Sequence, residues 1–120
     1  CVFYIILKGK VMKISSTNTD KYTIIKIEVD QLLGFEAQEF QEAILDSLEK
    51  NVTVIIVDLS AVKFISSWGI GMLIHGLATT TNRGGSFKIV GLADNVMQVF
   101  QKVKIDTVLD IYKTAEQAKV

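Results

Sequence analysis

Proline is absent from the 120-residue sequence, which holds only one cysteine, one histidine and one tryptophan. Without proline there is no polyproline ligand and no proline-rich linker. Cys1 alone builds neither a disulfide framework nor a zinc site, so a reducing, cytoplasmic compartment is the expectation. An excess of charge is missing too. Thirteen Lys and Arg balance 13 Asp and Glu, which removes the basic stripe that a general nucleic-acid binder requires. Long hydrophobic runs are also lacking. The longest, Val2 to Leu7, stops at Lys8, short of the roughly 20 apolar residues of a membrane span and the roughly 7–15 of a signal-peptide core. What is present is a chain 49% hydrophobic and 22% charged. That is the composition of one packed domain rather than of a disordered chain, and the length also suits a single domain. Met12 opens the segment Met12-Lys13-Ile14. Residues 1–11 are therefore expected to be an extension, a cloning remnant or part of a longer chain ahead of a domain spanning residues 12–120. They would supply an extra edge strand or a contact between copies of the chain, which makes a homodimer a candidate assembly.

Periodicity sorts the rest. A short strand is expected from Val11 to Ser15, then a polar turn over Ser16 to Asp20, then a β-branched strand from Tyr22 to Val29. Glu36 to Lys50 reads as a helix with Ala37, Phe40, Ile44 and Leu48 inward. Val52 to Asp58 is apolar at almost every position, as a central strand covered on both faces would be. Leu59 to Ser66 is expected to be a loop, and Ser67 to Asn82 a helix with Ile70, Leu73, Ile74 and Leu77 inward. Gly84-Gly85 ends that helix. A strand from Ser86 to Val90, a helix from Asp94 to Lys104, a short strand at Thr107 to Leu109 and a terminal helix capped by Thr114 complete the chain. The order β-β-α-β-α-β-α-β-α implies an α/β fold: a mixed sheet of about four to five strands, largely parallel after the first pair, with helices packed against it.

Familiar catalytic chemistry finds no foothold. His75 has no cysteine or carboxylate at ligand spacing, which leaves no metal site. On the predicted helix it stands roughly 12 Å from Ser67, at 1.5 Å per residue, whereas a nucleophile and its base must come within about 3 Å. The Gly69-Ile70-Gly71 pair lacks the third glycine of a dinucleotide fingerprint. No cofactor is expected, and the chain does not read as an enzyme. What stands out is Phe64-Ile65-Ser66-Ser67-Trp68-Gly69-Ile70-Gly71, placed between a buried strand and a helix, where α/β sheets present their functional edge. Ser67 is a natural helix N-cap. Trp68 lies off the inward stripe, so its indole is expected at the surface, as in a binding patch.

The stretch from Asp58 to Leu73 resembles the signature of STAS domains, the sulfate-transporter and anti-sigma-factor-antagonist family. That signature has an apolar strand, an Asp/Asn-Leu pair, a short loop with an aromatic, then Asp-Ser-Ser/Thr-Gly-Leu-Gly. The resemblance extends from about Met12 to the end of the chain, through the element order and the Gly84-Gly85 turn. It implies that Ser67 matches the serine phosphorylated in bacterial anti-sigma-factor antagonists and Gly69 the motif glycine. Ser66 falls where many members carry aspartate, and Trp68 where they carry a second Ser or Thr. The acidic segment after the second strand is altered to Val29-Asp30-Gln31-Leu32-Leu33-Gly34, with Asp30 standing for its acid.

The resemblance further implies a non-enzymatic domain that binds a partner protein through Asp30, Asp58, Ser66, Ser67, Trp68 and Gly69. The expected partner is an anti-sigma factor that is also a serine kinase, with a PP2C-type phosphatase to reset Ser67. Two rivals stand beside this reading. One is an unphosphorylated STAS subunit of a stress-signalling or transport complex; the other is a small α/β enzyme using Ser66 and Ser67, which lacks a positioned base.

Overall fold

The computed structural model describes residues 14–19 and 21–119, so the expected extension at residues 1–11 lies outside the described residues. Strands β1 (Ile14–Asn18), β2 (Tyr22–Ile27), β4 (Val54–Asp58), β6 (Ser86–Val90) and β7 (Asp110–Tyr112) form one sheet in the order β1-β2-β4-β6-β7. The first pair is antiparallel, with Ile14 opposite Ile27, and every later pair is parallel. Among the described residues there are four helices, in chain order α1 (Ala37–Glu49), α2 (Ser67–Asn82), α3 (Asp94–Lys102) and α4 (Ala115–Ala118). The mixed α/β sheet expected from the sequence is thus the observed architecture, with β4 at its centre.

Strand β4 explains why the sheet has two covered faces. Its side chains alternate, so Ile55 and Val57 join Ile25, Ile27, Phe87 and Ile89 on the front face beneath α1 and α2. Ile56 points the other way, into a smaller cluster with Val90 and Ala118. The four-residue α4 covers that rear face, capped by Thr114, whose hydroxyl oxygen accepts from the Gln117 amide. Lys88 is buried beneath it, donating from its ammonium to the Ala118 carbonyl at 2.9 Å and lying 5.3 Å from the Tyr112 ring centre. Partial burial, then the hydrogen bond to Asp110 and its charge, raise the Tyr112 phenol above its ordinary pKa.

With Ile55, Ile56 and Val57 all at 0% exposure, native-state hydrogen exchange is expected to place their amides among the slowest of the domain. Fast exchange across Val54–Val57 would contradict a central β4.

Several expected boundaries and faces shift. On α1 the inward residues are Phe40, Ile44 and Ser47, while Ala37 is exposed and Leu48 half-buried. On α2 they are Gly69, Met72, Leu73, Gly76 and Thr80, and Ile70, Ile74 and Leu77 lie on the half-buried shoulder. The reason is close approach. Phe40, Ile44 and the Phe87 ring fill the space where a Cβ on Gly76 would go, so the tightest contact is made by small residues that hydrophobicity does not flag. Helix α3 ends at Lys102, leaving Val103 half exposed, and Lys104 turns the chain with φ 64°. The last strand forms at Asp110–Tyr112 rather than Thr107–Leu109, because residues 105–109 turn on bonds from the Val108 and Leu109 amides to the Ile105 carbonyl.

Candidate functional site

The segment expected to be a loop contains a strand. Phe64–Ile65 (β5) pairs in parallel with Gln31–Leu32 (β3), forming a two-stranded sheet beside the main one. The Asp30 carbonyl anchors it, accepting from the Lys63 and Phe64 amides at 2.7 and 3.0 Å. This small sheet delivers the chain into α2 at a fixed angle. The Ser66 amide donates to the Leu32 carbonyl at 3.1 Å, and the helix begins at the next residue.

The N-cap is Ser66, not Ser67. Ser66 has extended backbone (φ −92°, ψ 172°), and its hydroxyl oxygen accepts from the Gly69 amide at 3.2 Å while its carbonyl accepts from Ile70 at 2.9 Å. A cap side chain reaches the third helical amide only from extended geometry, and that geometry ends at Ser66. Aspartate and serine cap about equally well, so serine at the family's aspartate position keeps the capping function. The consequence falls on Ser67. Its side chain is exposed and makes no hydrogen bond within the described residues, leaving the hydroxyl at the first turn of a 16-residue helix, the positive end of the helix dipole.

Gly69 lies under this turn. A Cβ there would collide with the Leu32 carbonyl and the Ile65 side chain, so glycine is what lets α2 sit on β3. Gly34, in the left-handed region at φ 98°, brings the β3–α1 turn against the helix, where its own Cβ would stand 2.8 Å from Trp68 Cβ. The indole is pushed outward and is 79% exposed, beside Phe35 at 84% and Phe64 at 51% on the adjoining segments. Between α1 and α2 runs an open groove of about 330 Å³ lined by Gly34, Ala37, Ser67, Trp68, Gly71, Met72 and His75.

Ser66, Ser67, Trp68 and Gly69 therefore come together at one helix start, with Asp30 exposed at the edge of the small sheet beneath them. Asp58 is placed differently. Half-buried at the end of β4, its carboxylate accepts from the Ser60 amide at 2.9 Å and would crowd a Cβ on Gly91, so it shapes the turn after the strand. Gly34, Phe35, Gly71, Met72 and His75, which line or flank the groove, are not among the partner-binding residues expected from the sequence. The signal available was Leu33-Gly34-Phe35, a glycine between two apolar residues ahead of a helix, and the Ser67, Gly71, His75 spacing that puts all three on one helical face. No three His, Cys, Asp or Glu side chains gather at metal-binding distance among the described residues. None of their helices is long and apolar enough to cross a membrane.

Residues 13–118 match the sequence profile of the STAS domain. The chain belongs to the STAS domain family. A Thermotoga maritima relative assigned as an anti-sigma factor antagonist is 29% identical over 83 residues, covering 68% of this chain and 74% of that protein. The NMR structure of that organism's TM1081 protein superposes with a TM-score of 0.78 at 25% identity, covering 91% of this chain and 86% of that one. The anti-sigma factor antagonist SpoIIAA in its unphosphorylated form shares the STAS fold at TM-score 0.71 and 19% identity, covering 88% and 91% of the two chains. Its Bacillus phosphorylated form superposes at 0.65 and 18%, covering 88% and 95%.

Proposed function

We propose that this STAS domain is a non-enzymatic binding module of the anti-sigma-factor-antagonist kind, switched by phosphorylation of Ser67. The observation that carries the reading is the division of labour at the helix start. Ser66 holds the cap and Ser67 is left exposed with an unengaged hydroxyl. The exposed Trp68, Phe35 and Phe64 beside it supply the apolar contact that a partner would cover. The partner in this reading is an anti-sigma factor that is also a serine kinase, and a PP2C-type phosphatase restores the serine in the cytoplasm.

A phosphoryl group on Ser67 would bring about −1.5 to −2 charge to a helix N-terminus, where free amides and the dipole favour an anion. The fold tolerates the mark while the partner's surface meets it unpaired. The test is mass spectrometry of the protein, and of its Ser67→Ala variant, isolated from its own cells. Phosphate on Ser67, and none on a Ser67→Ala variant, supports the reading; phosphate elsewhere or nowhere rejects it.

One feature favours a second reading, in which the domain is an unphosphorylated subunit of a stress-signalling or transport complex. Trp68 stands where the family carries Ser or Thr, and it places a bulky exposed indole next to the serine that a kinase would have to recognise. Both readings put Trp68 in the interface. Trp68→Ala is expected to weaken partner binding by at least about thirtyfold, the 2 kcal/mol of an interface hot spot. Its unfolding free energy should stay within about 0.5 kcal/mol of wild type, as for an exposed side chain. Isothermal titration paired with urea unfolding reads both.

A further inference from the structure

Helix α4 is a single turn, and an isolated helix of that length has no stability of its own. Its apolar anchor is small. Ala118 is its one buried residue, Ala115 is half-buried, and Glu116 and Gln117 are exposed. What holds it to the rear face is a short set of polar fastenings. The Thr114 hydroxyl oxygen accepts from the Gln117 amide at 3.3 Å, and the Gln117 side-chain oxygen accepts from the Lys113 amide at 3.1 Å. Lys119 lies 2.9 Å from the Glu116 carboxylate and 4.9 Å from the Tyr22 ring centre. From below, the Lys88 ammonium donates to the Ala118 carbonyl.

The surface under the turn is not a sealed core. Lys88, only 8% exposed, stands in register between Ile56 of β4 and Asp110 of β7. Lysine is almost never so deeply buried, because an ammonium loses its hydration there. A face closed for good is served as well or better by an apolar residue. A lysine suits a face that is uncovered at intervals, since it bonds the Ala118 carbonyl with α4 down and takes up water with α4 raised. It thereby offsets part of the cost of wetting Ile56 and Val90, which share the cluster closed by Ala118.

We infer that α4 is a latch that opens as a unit while the five-stranded sheet stays folded, and that its opening controls access to the Lys88 amine. Two features confine the motion to α4. Strand β6 is paired with β4 and β7 through the sheet ladder, whose bonds need nothing from α4. The main core, with Phe40, Leu73 and Phe100 of the other three helices, includes no α4 residue. Lys113 and Thr114, both exposed and directly after β7, are the hinge. The latch lies across the sheet from α2 and asks nothing of the Ser67 reading.

The experiment is brief acetylation of the whole protein with the N-hydroxysuccinimide ester of acetic acid, read lysine by lysine by mass spectrometry. The amine attacks the ester carbonyl, a C–N bond forms, the ester C–O bond breaks, and N-hydroxysuccinimide and a proton leave. Lys88 is expected to react at least about tenfold more slowly than the exposed Lys26 and Lys63. Its rate should stay nearly flat in urea below the unfolding transition, because a local opening exposes little surface. Thr114→Ala removes the cap and should speed the reaction of Lys88 by about fivefold. Lys26 and Lys63 should react as before.

A Lys88 rate that climbs steeply with urea, in step with global unfolding, would overturn the proposal, since α4 would then belong to the cooperative fold. So would a rate equal to that of Lys26, which would mean that α4 does not cover Lys88. A rate unchanged by Thr114→Ala would contradict a turn held by its cap.

Discussion

Gly69→Ala is expected to lower the unfolding free energy by about 3 kcal/mol, at the upper end of what overpacking costs. The added methyl group would land on the Leu32 carbonyl and against the Ile65 side chain. A flexible side chain could swing aside; a backbone carbonyl held in place cannot. That carbonyl accepts from the Ser66 amide, and Leu32 is paired with Ile65 across the β3–β5 sheet. Relief requires either lifting the first turn of α2, which breaks the Ser66 cap on the Gly69 amide, or pulling β3 away from β5. For a domain of this size, about 3 kcal/mol corresponds to a fall in Tm of roughly 10–15 °C. Calorimetry or urea unfolding reads it, with Gly71→Ala as the matched control, since a methyl group there meets nothing. Equal stability of the two variants would mean that α2 does not rest on β3 as described.

The contrast between those glycines also marks where sequence reasoning succeeds. Long elements with one dominant signal were legible. The unbroken β-branched run of β4 identifies a strand covered on both faces, and α2 occupies the expected residues from Ser67 to Asn82. The family motif names the helix start as the place of interest. Two-residue strands were not legible, because β3 and β5 owe their existence to each other across more than thirty residues rather than to local pattern. The N-cap slipped by one position because Ser66 and Ser67 have equal capping propensity, and only the backbone angle at Ser66 decides between them. The inward stripe of α2 was misplaced for a related reason. Hydrophobic periodicity finds Ile70, Ile74 and Leu77, whereas contact distance selects Gly76 and Thr80. The groove was hidden altogether, since it is lined by Gly34 and Ala37 on one segment and by α2 residues from more than thirty positions further along the chain.

Ser67→Asp carries the largest functional effect. A carboxylate at the first turn of α2 meets the helix dipole favourably, by roughly 0.3–1 kcal/mol, and Ser67 makes no hydrogen bond that the change would break. Thermal stability should therefore stay within about 1 kcal/mol of wild type. In the complex the same charge faces Trp68 and the groove from the inside of an interface. An unpaired charge buried there costs several kcal/mol; at about 1.4 kcal/mol per decade, affinity should fall by two orders of magnitude or more. Ser67→Ala keeps the neutral, small surface and should bind as wild type does. Because the fold is unchanged in all three proteins, any difference in affinity belongs to the site.

The measurement that bears most directly on this account is a binding titration of wild-type protein, Ser67→Asp and protein phosphorylated on Ser67 against the partner kinase. A loss of at least about a hundredfold in both modified forms, with unaltered melting curves, is the predicted result. Equal affinity for all three would contradict the switch and leave the constitutive subunit in its place.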